Sequence, residues 1–297
     1  MIRIGLRAHD YGRLPPEELA QTVAAYGAES VQLALSKALS GPPAPGALSL
    51  GYARTLRKTF EEKGIAIAVL GCYINPVHPD RDERERSLRL FEEHLRFSRD
   101  FGCSLVGTET GSCSPDCSWQ PDTTKSGAFD LLCSSVERLL VTAEKCGSMV
   151  GIEPVADRHT VSSIELMEKL IERFPSPALA VIYDPVNLIP GGGLSRSQED
   201  FFREALNTFG NRIMAVHLKD FRMEGKGKTG DLPVGTGDLD WPCLLRLLME
   251  KKPGVDLLLE NSGPVTVRGC IAFLRETAGE IIDKMPGTGT ERLSTPF

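Results

Sequence analysis

Short apolar runs rich in β-branched residues alternate with longer amphipathic stretches along this whole chain, and that alternation leaves few folds open. The runs are "IRIGL" (2–6), "SVQLAL" (30–35), "IAIAVLG" (65–71), "SLVGTE" (104–109), "MVGIE" (149–153), "LAVIYD" (179–184), "IMAVHLK" (213–219) and "DLLLEN" (256–261). Between them stand helical patterns such as "PEELAQTVAAYGA", "RSLRLFEEHLRFSRDFG" and "SSVERLLVTAEKCG". Many of these stop at a glycine, which takes up the left-handed conformation that ends a helix. Runs that are apolar on both faces belong to a parallel sheet covered on both sides. Eight strand–helix units in 297 residues predict an α/β fold, a closed (β/α)₈ TIM barrel in one domain, with a doubly wound open sheet as the alternative. The expected barrel occupies 1–284, and the aperiodic "MPGTGTERLSTPF" (285–297) is expected to be a loose C-terminal tail.

Composition narrows the partners. At 41% hydrophobic and 25% charged residues the chain can fill a core, while a net charge of −6 argues against gripping nucleic acid or an anionic membrane unaided. No apolar run approaches the ~20 residues of a spanning helix, and "MIRIGLRAHDYG" has no secretory apolar region. The expected location is the cytoplasm, with a homo-oligomer left open. The eight cysteines are expected to be free thiols, because "CSPDC" (113–117) lacks a second Cys or His pair at zinc spacing.

In such a barrel the chemistry sits at the C-terminal ends of the strands. Those positions hold Glu109, Glu153, Asp184, His217 and Glu260, the last four separated by 31, 33 and 43 residues, roughly one strand–helix unit each. A lone acid there often caps a helix or pairs with arginine. Three carboxylates and an imidazole converging on one point instead call for a cation, and the mixed oxygen–nitrogen set suits one divalent ion: Mn²⁺, Mg²⁺, Co²⁺ or Zn²⁺.

"GIEPV" (151–155), "YDPVN" (183–187), "HLKD" (217–220), "LLEN" (258–261) and "VGTGDLDW" (234–241) together resemble the xylose isomerase-like TIM barrel superfamily of sugar phosphate isomerases and epimerases, over essentially the whole chain. The resemblance implies metal ligation by Glu153, Asp184, His217 and Glu260. It also implies proton exchange by Glu153 and Glu260, as in the family's ketose epimerases. The implied function is a metal-dependent isomerase or epimerase of a sugar, polyol or sugar phosphate, working through an enediolate. A metal-dependent dehydratase of a keto-polyol such as an inosose begins with the same proton abstraction and is the alternative. An abasic-site endonuclease and a non-catalytic sugar-binding barrel stand further off. "DLP" (231–233) replaces the Asp-x-His pair that the nuclease needs.

The sequence also departs from the epimerases. Asn187 stands where they carry a histidine, and Arg222 lies near their arginine without matching its spacing. The expected small-carbohydrate contacts are Asn187, Arg222, His159, Glu109, His9 and Lys226. His78 and His94 are expected at the surface, and Trp119 and Trp241 either wall the pocket or pack in the core. "GKGKTG" (225–230) matches a dinucleotide fingerprint in letters but opens no helix, and Arg222 occupies the first glycine position of a P-loop. A mobile loop that closes over an anionic substrate, with Arg222 and either Lys226 or Lys228 touching it, competes with a merely solvated one.

Overall fold

A computed structural model describes residues 2–284; the expected tail at 285–297 lies outside the described residues. β1 (Arg3–Arg7) is followed by α1 (Pro16–Ala25), β2 (Ser30–Leu33), the short α2 (Leu35–Ala38), α3 (Leu50–Glu61), β3 (Ala66–Gly71) and α4 (Arg81–Phe97). β4 (Leu105–Glu109), α5 (Ser126–Cys146), β5 (Met149–Glu153), α6 (Ile164–Arg173) and β6 (Leu179–Tyr183) continue the alternation. The short α7 (Pro185–Leu188), α8 (Gln198–Thr208), β7 (Ile213–Leu218), β8 (Asp220–Glu224), β9 (Gly227–Leu232), α9 (Trp241–Lys251), β10 (Asp256–Leu259) and α10 (Val267–Lys284) complete it. Eight strands close in the order β1-β10-β7-β6-β5-β4-β3-β2, with parallel pairing throughout. The barrel closes as expected, and the open sheet falls away.

Local chemistry sets the element ends. Asp80 caps α4 by accepting from Asp82 N and Glu83 N, and Ser163 caps α6 through Leu166 N. α5 stops at Gly147 in the left-handed region (φ 65). Inside the barrel, Gly107 of β4 has no room for a side chain, since an added Cβ would lie 2.5 Å from Ile182 Cδ1. The "VG" steps of β4 and β5 therefore make space for one large residue from β6, which fills the interior.

The segment containing "GKGKTG" is neither a helix start nor a structureless loop. β8 and β9 pair as an antiparallel hairpin leaving the end of β7, with its turn at Gly225 and Lys226. Asp220, fully buried at the root, accepts from the amides of Gly235, Gly237 and Leu239 and from Trp241 Nε1 (2.9–3.1 Å). That shell of donors organises the "VGTGD" stretch. Gly237 is tied to it, because a Cβ there would fall 2.0 Å from Phe221 O. Further out, Lys228 Nζ donates to the carbonyls of Val186 and Ile189, fastening the hairpin to α7. The hairpin is held at several points along its length.

Candidate active site

Glu153 is the last residue of β5, Asp184 directly follows β6, His217 lies near the end of β7 and Glu260 directly follows β10. Adjacent parallel strands bring these ends to one level, and all four side chains are buried. His217 Nδ1 lies 3.2 Å from both Glu153 Oε2 and Glu260 Oε1. Its Nε2 meets Gln32 Oε1 at 2.5 Å, and Gln32 Nε2 donates to the Tyr73 hydroxyl. Asn187 Nδ2 donates to Glu153 Oε1 at 2.6 Å. Asp184 divides its oxygens: Oδ1 caps α7 by accepting from Asn187 N, while Oδ2 lies 3.0 Å from Lys219 Nζ.

Lys219 was not singled out in the sequence, although strand alternation places it on the same side as His217 two residues earlier. Its buried ammonium reaches Asp184 Oδ2, Glu260 Oε2 (3.1 Å) and Asp231 Oδ1 (3.2 Å). Arg7, at the end of β1, adds Nη1 at 3.1 Å from Glu260 Oε1. Gln32 and Tyr73 were missed as well; neither bears a charge or motif that marks it in sequence.

The electrostatics follow from burial and these contacts. Burial lifts the Asp184 carboxyl to about 6, with Lys219 opposing the rise. Burial also raises the Glu260 carboxyl, but His217, Lys219 and Arg7 outweigh it and hold Glu260 well below the usual carboxylate range. For His217 burial acts downward, yet the charges of Glu260 and Glu153 lift the imidazole to about 9. A protonated His217 thus joins Lys219 and Arg7 in offsetting the charge of the clustered acids.

The donor set fits a divalent ion. Ligand atoms of Glu153, Asp184 and His217 all lie within 4.8 Å of one another. His217 Nδ1 and Asp184 Oδ2 are buried and lack an aligned hydrogen-bond partner, although oppositely charged groups lie within 3.2 Å of each. Donation from Nε2 to Gln32 leaves the Nδ1 lone pair for a metal once the ring is neutral. Glu260 stands beside this trio at the His217 nitrogen, but two cations from the protein already engage it.

A cavity of about 280 Å³ opens over the centre, near the lower end of the ~300–1,000 Å³ of small-molecule sites. It is lined by four of the expected substrate contacts: His9, Glu109, His159 and Asn187. His9 and His159 are both pushed down to about 4, chiefly by burial, and are neutral hydrogen-bonding groups at neutral pH. Burial, then the charges of Glu153 and Glu260, lift Glu109 to about 7; its Oε2 lies 3.7 Å from His159 Nδ1. The other two expected contacts are not brought in. Arg222 is exposed and donates to Thr236 O, and Lys226 is exposed in the hairpin turn; neither lines this cavity. Their strand and turn positions on an outward hairpin explain the difference. Lys228 is likewise committed to backbone carbonyls.

The remaining expectations divide. Trp241 belongs to the core, Trp119 is exposed outside the cavity, and His78 is half-buried at the start of α4. His94 is buried, contrary to its expected surface place, because its Nδ1 turns back to Leu90 O (2.9 Å) on the inner face of α4. All eight cysteines are free thiols. Among the described residues, no helix is long and apolar enough to cross a membrane.

Residues 20–277 match the family model described as "Xylose isomerase-like TIM barrel". No curated protein matches in sequence. Among solved structures, a D-tagatose 3-epimerase-like protein superposes with a TM-score of 0.76 at 14% identity, covering 95% of this chain and 99% of its own. The 3-keto-D-glucoside 4-epimerase of E. coli gives 0.70 at 16% identity, with 93% and 100% covered. The IOLI protein with a bound zinc atom gives 0.72 at 15%, with 95% and 99% covered. At such identities the likeness is one of fold.

Proposed function

Because this chain belongs to the xylose isomerase-like TIM barrel family, we propose that it is a divalent-metal-dependent isomerase or epimerase of a small sugar, polyol or sugar phosphate. The carrying observation is the pair of buried carboxylates, Glu153 and Glu260, each 3.2 Å from His217 Nδ1 beneath a sugar-sized cavity. An epimerase, an epimerase-like protein and a zinc-bound protein among the structural neighbours support the same reading. The matching setting is cytoplasmic, with a free carbohydrate as partner and neither nucleic acid nor membrane.

Glu153, Asp184 and His217 would hold the ion, with Glu260 completing the set. When bound, Mn²⁺, Mg²⁺, Co²⁺ or Zn²⁺ supplies positive charge for oxygens that become negative as a proton leaves the neighbouring carbon. Glu153 and Glu260 take and return that proton as general base and acid. Their surroundings make the two unequal. Both face His217, but Glu153 also accepts from the neutral amide of Asn187, whereas Glu260 also contacts the cations Arg7 and Lys219. His9, His159, Asn187 and Glu109 hydrogen-bond the hydroxyls, and the buried setting keeps bulk water from the carbanion.

Lys219 supports a second reading, a metal-dependent dehydratase. Its ammonium lines the cavity beside Glu260, where a departing hydroxyl would find a proton donor. A panel of ketoses, inososes and their phosphates, incubated in D₂O with Mn²⁺ and followed by NMR, tests both. Deuterium entering recovered ketose or its epimer supports the isomerase, and accumulation of an unsaturated product supports the dehydratase. Absence of exchange across the panel counts against both.

A further inference from the structure

Four cations line the cavity: Arg7, Lys37, Arg158 and Lys219. Two of them are spoken for. Arg7 contacts Asp10, Asn261 and Glu260, and Lys219 contacts Asp184, Asp231 and Glu260. Lys37 and Arg158 differ. Among the described residues, neither side-chain head makes an ion pair or hydrogen bond, and the only close contact recorded for Lys37 Nζ is the face of the Tyr73 ring, 3.9 Å from its centroid.

Their backbones, by contrast, are fixed. Lys37 lies in α2, where its amide donates to Ala34 O at 3.0 Å. Arg158 lies five residues beyond Glu153 in a loop pinned on both sides of it. Ala156 N donates to Asn187 O at 2.8 Å, Asp157 Oδ2 accepts from Gly191 N at 2.5 Å, and Thr160 N donates to Gly111 O at 2.9 Å. Asp157 itself sits in the left-handed region (φ 59). Two positive heads thus stand on rigid supports at the mouth of one small cavity, after β2 and β5. The carboxylates sharing that lining are Glu109, Asp231 and Glu260, and the last two already face Lys219. Glu109 is the acid left to balance both heads.

We propose that Lys37 and Arg158 form an anion-binding rim, so that the substrate carries a phosphate or carboxylate at the end remote from the reacting carbons. This rests on the proposed function for what happens at those carbons, but not for the anion contact. A charge of that kind would be bracketed by a point-like ammonium and a planar guanidinium, an arrangement suited to oxyanions. It replaces the hairpin cations Arg222 and Lys226, which lie outside the cavity.

Isothermal titration with D-fructose 6-phosphate and 5-keto-D-gluconate tests the rim. Each would be measured on Mn²⁺-loaded and on EDTA-treated protein, at low and high salt. At least one anion is expected to bind the wild type, more weakly as salt rises. The double variant Lys37→Ala/Arg158→Ala should lose that binding by about tenfold or more while retaining its Mn²⁺ stoichiometry and melting temperature. Each single replacement should show part of the loss. A preference for the phosphate ester or for the sugar acid decides which oxyanion the rim serves. If neither anion binds the wild type, or the double variant binds as tightly, the proposal fails. Loss of the metal reading would appear separately, as absence of bound Mn²⁺ with anion binding retained in the EDTA-treated arm.

Discussion

The floor of the cavity and its rim are built by different rules. The floor residues Glu153, His217 and Glu260 sit at or beside strand ends, where pleat alternation and barrel register fix where each side chain points. Every charge there has an opposite charge within about 3.2 Å. The rim residues Lys37 and Arg158 sit exposed on a one-turn helix and a loop, and among the described residues neither head has an ion pair or hydrogen bond. A floor of matched charges favours chemistry at a fixed point, whereas a rim of unmatched charges favours selection of what enters.

The largest expected effect breaks the floor. Glu153→Gln and Glu260→Gln keep size and an oxygen donor but remove basicity, so proton exchange should fall on the order of 10²–10⁴-fold with metal partly retained. Deuterium exchange by NMR and elemental analysis read the two quantities separately. Near-wild-type exchange in both variants would place proton transfer elsewhere.

Acidity should act on the floor nearly as strongly. His217 carries its proton below about 9 and must lose it to ligate, so the proton competes with the metal. Metal affinity should therefore rise with pH, about tenfold per unit through neutrality, and level off above 9. An affinity that is flat between pH 7 and 9 would mean that His217 is already neutral, or is not a ligand.

Gln32→Leu removes the partner that orients His217 while leaving all four proposed ligands in place. A loss of roughly 10–100-fold in metal affinity is expected, the usual worth of such a supporting bond. Equal affinity would show that barrel packing alone holds the ring.

The smallest effect sharpens the contrast from outside. Arg222→Ala and Lys226→Ala alter exposed cations beyond the cavity lining, so KM and kcat should stay within about twofold of wild type at low salt. A clear rise in KM for an anionic substrate in either variant would return the hairpin to the binding site.

How much was legible in the sequence follows the same division. Eight strand runs gave the closed barrel, and reading only their ends found Glu109, Glu153, Asp184, His217 and Glu260, because strand geometry is local and periodic. The same periodicity places Lys219 on the side of His217, a signal that a search for metal-ligand residue types passes over. Arg7 sits at the end of β1 but matters through contacts with residues more than 250 positions away, which no local pattern reports. In sequence alone, the glycines of "GKGKTG" suggest a flexible loop that could carry its lysines to a substrate. Paired β8 and β9, with Lys228 fastened to α7, show that glycine there serves a hairpin turn rather than mobility. Lys37 and Arg158 had no motif to announce them.

The buried knot at Asp220 has a consequence for how this protein can change. Its donors, from Gly235 to Trp241, all lie within 21 residues of it, so the chain leaves β7 and enters α9 through a root closed behind the hairpin. The length of the projecting tip is then nearly independent of the barrel, since each doubling of such a loop costs only about 0.6 kcal/mol in closure entropy. The root makes the hairpin a graft point: an insertion between Glu224 and Gly227 would extend the appendage while leaving the eight-stranded ring intact.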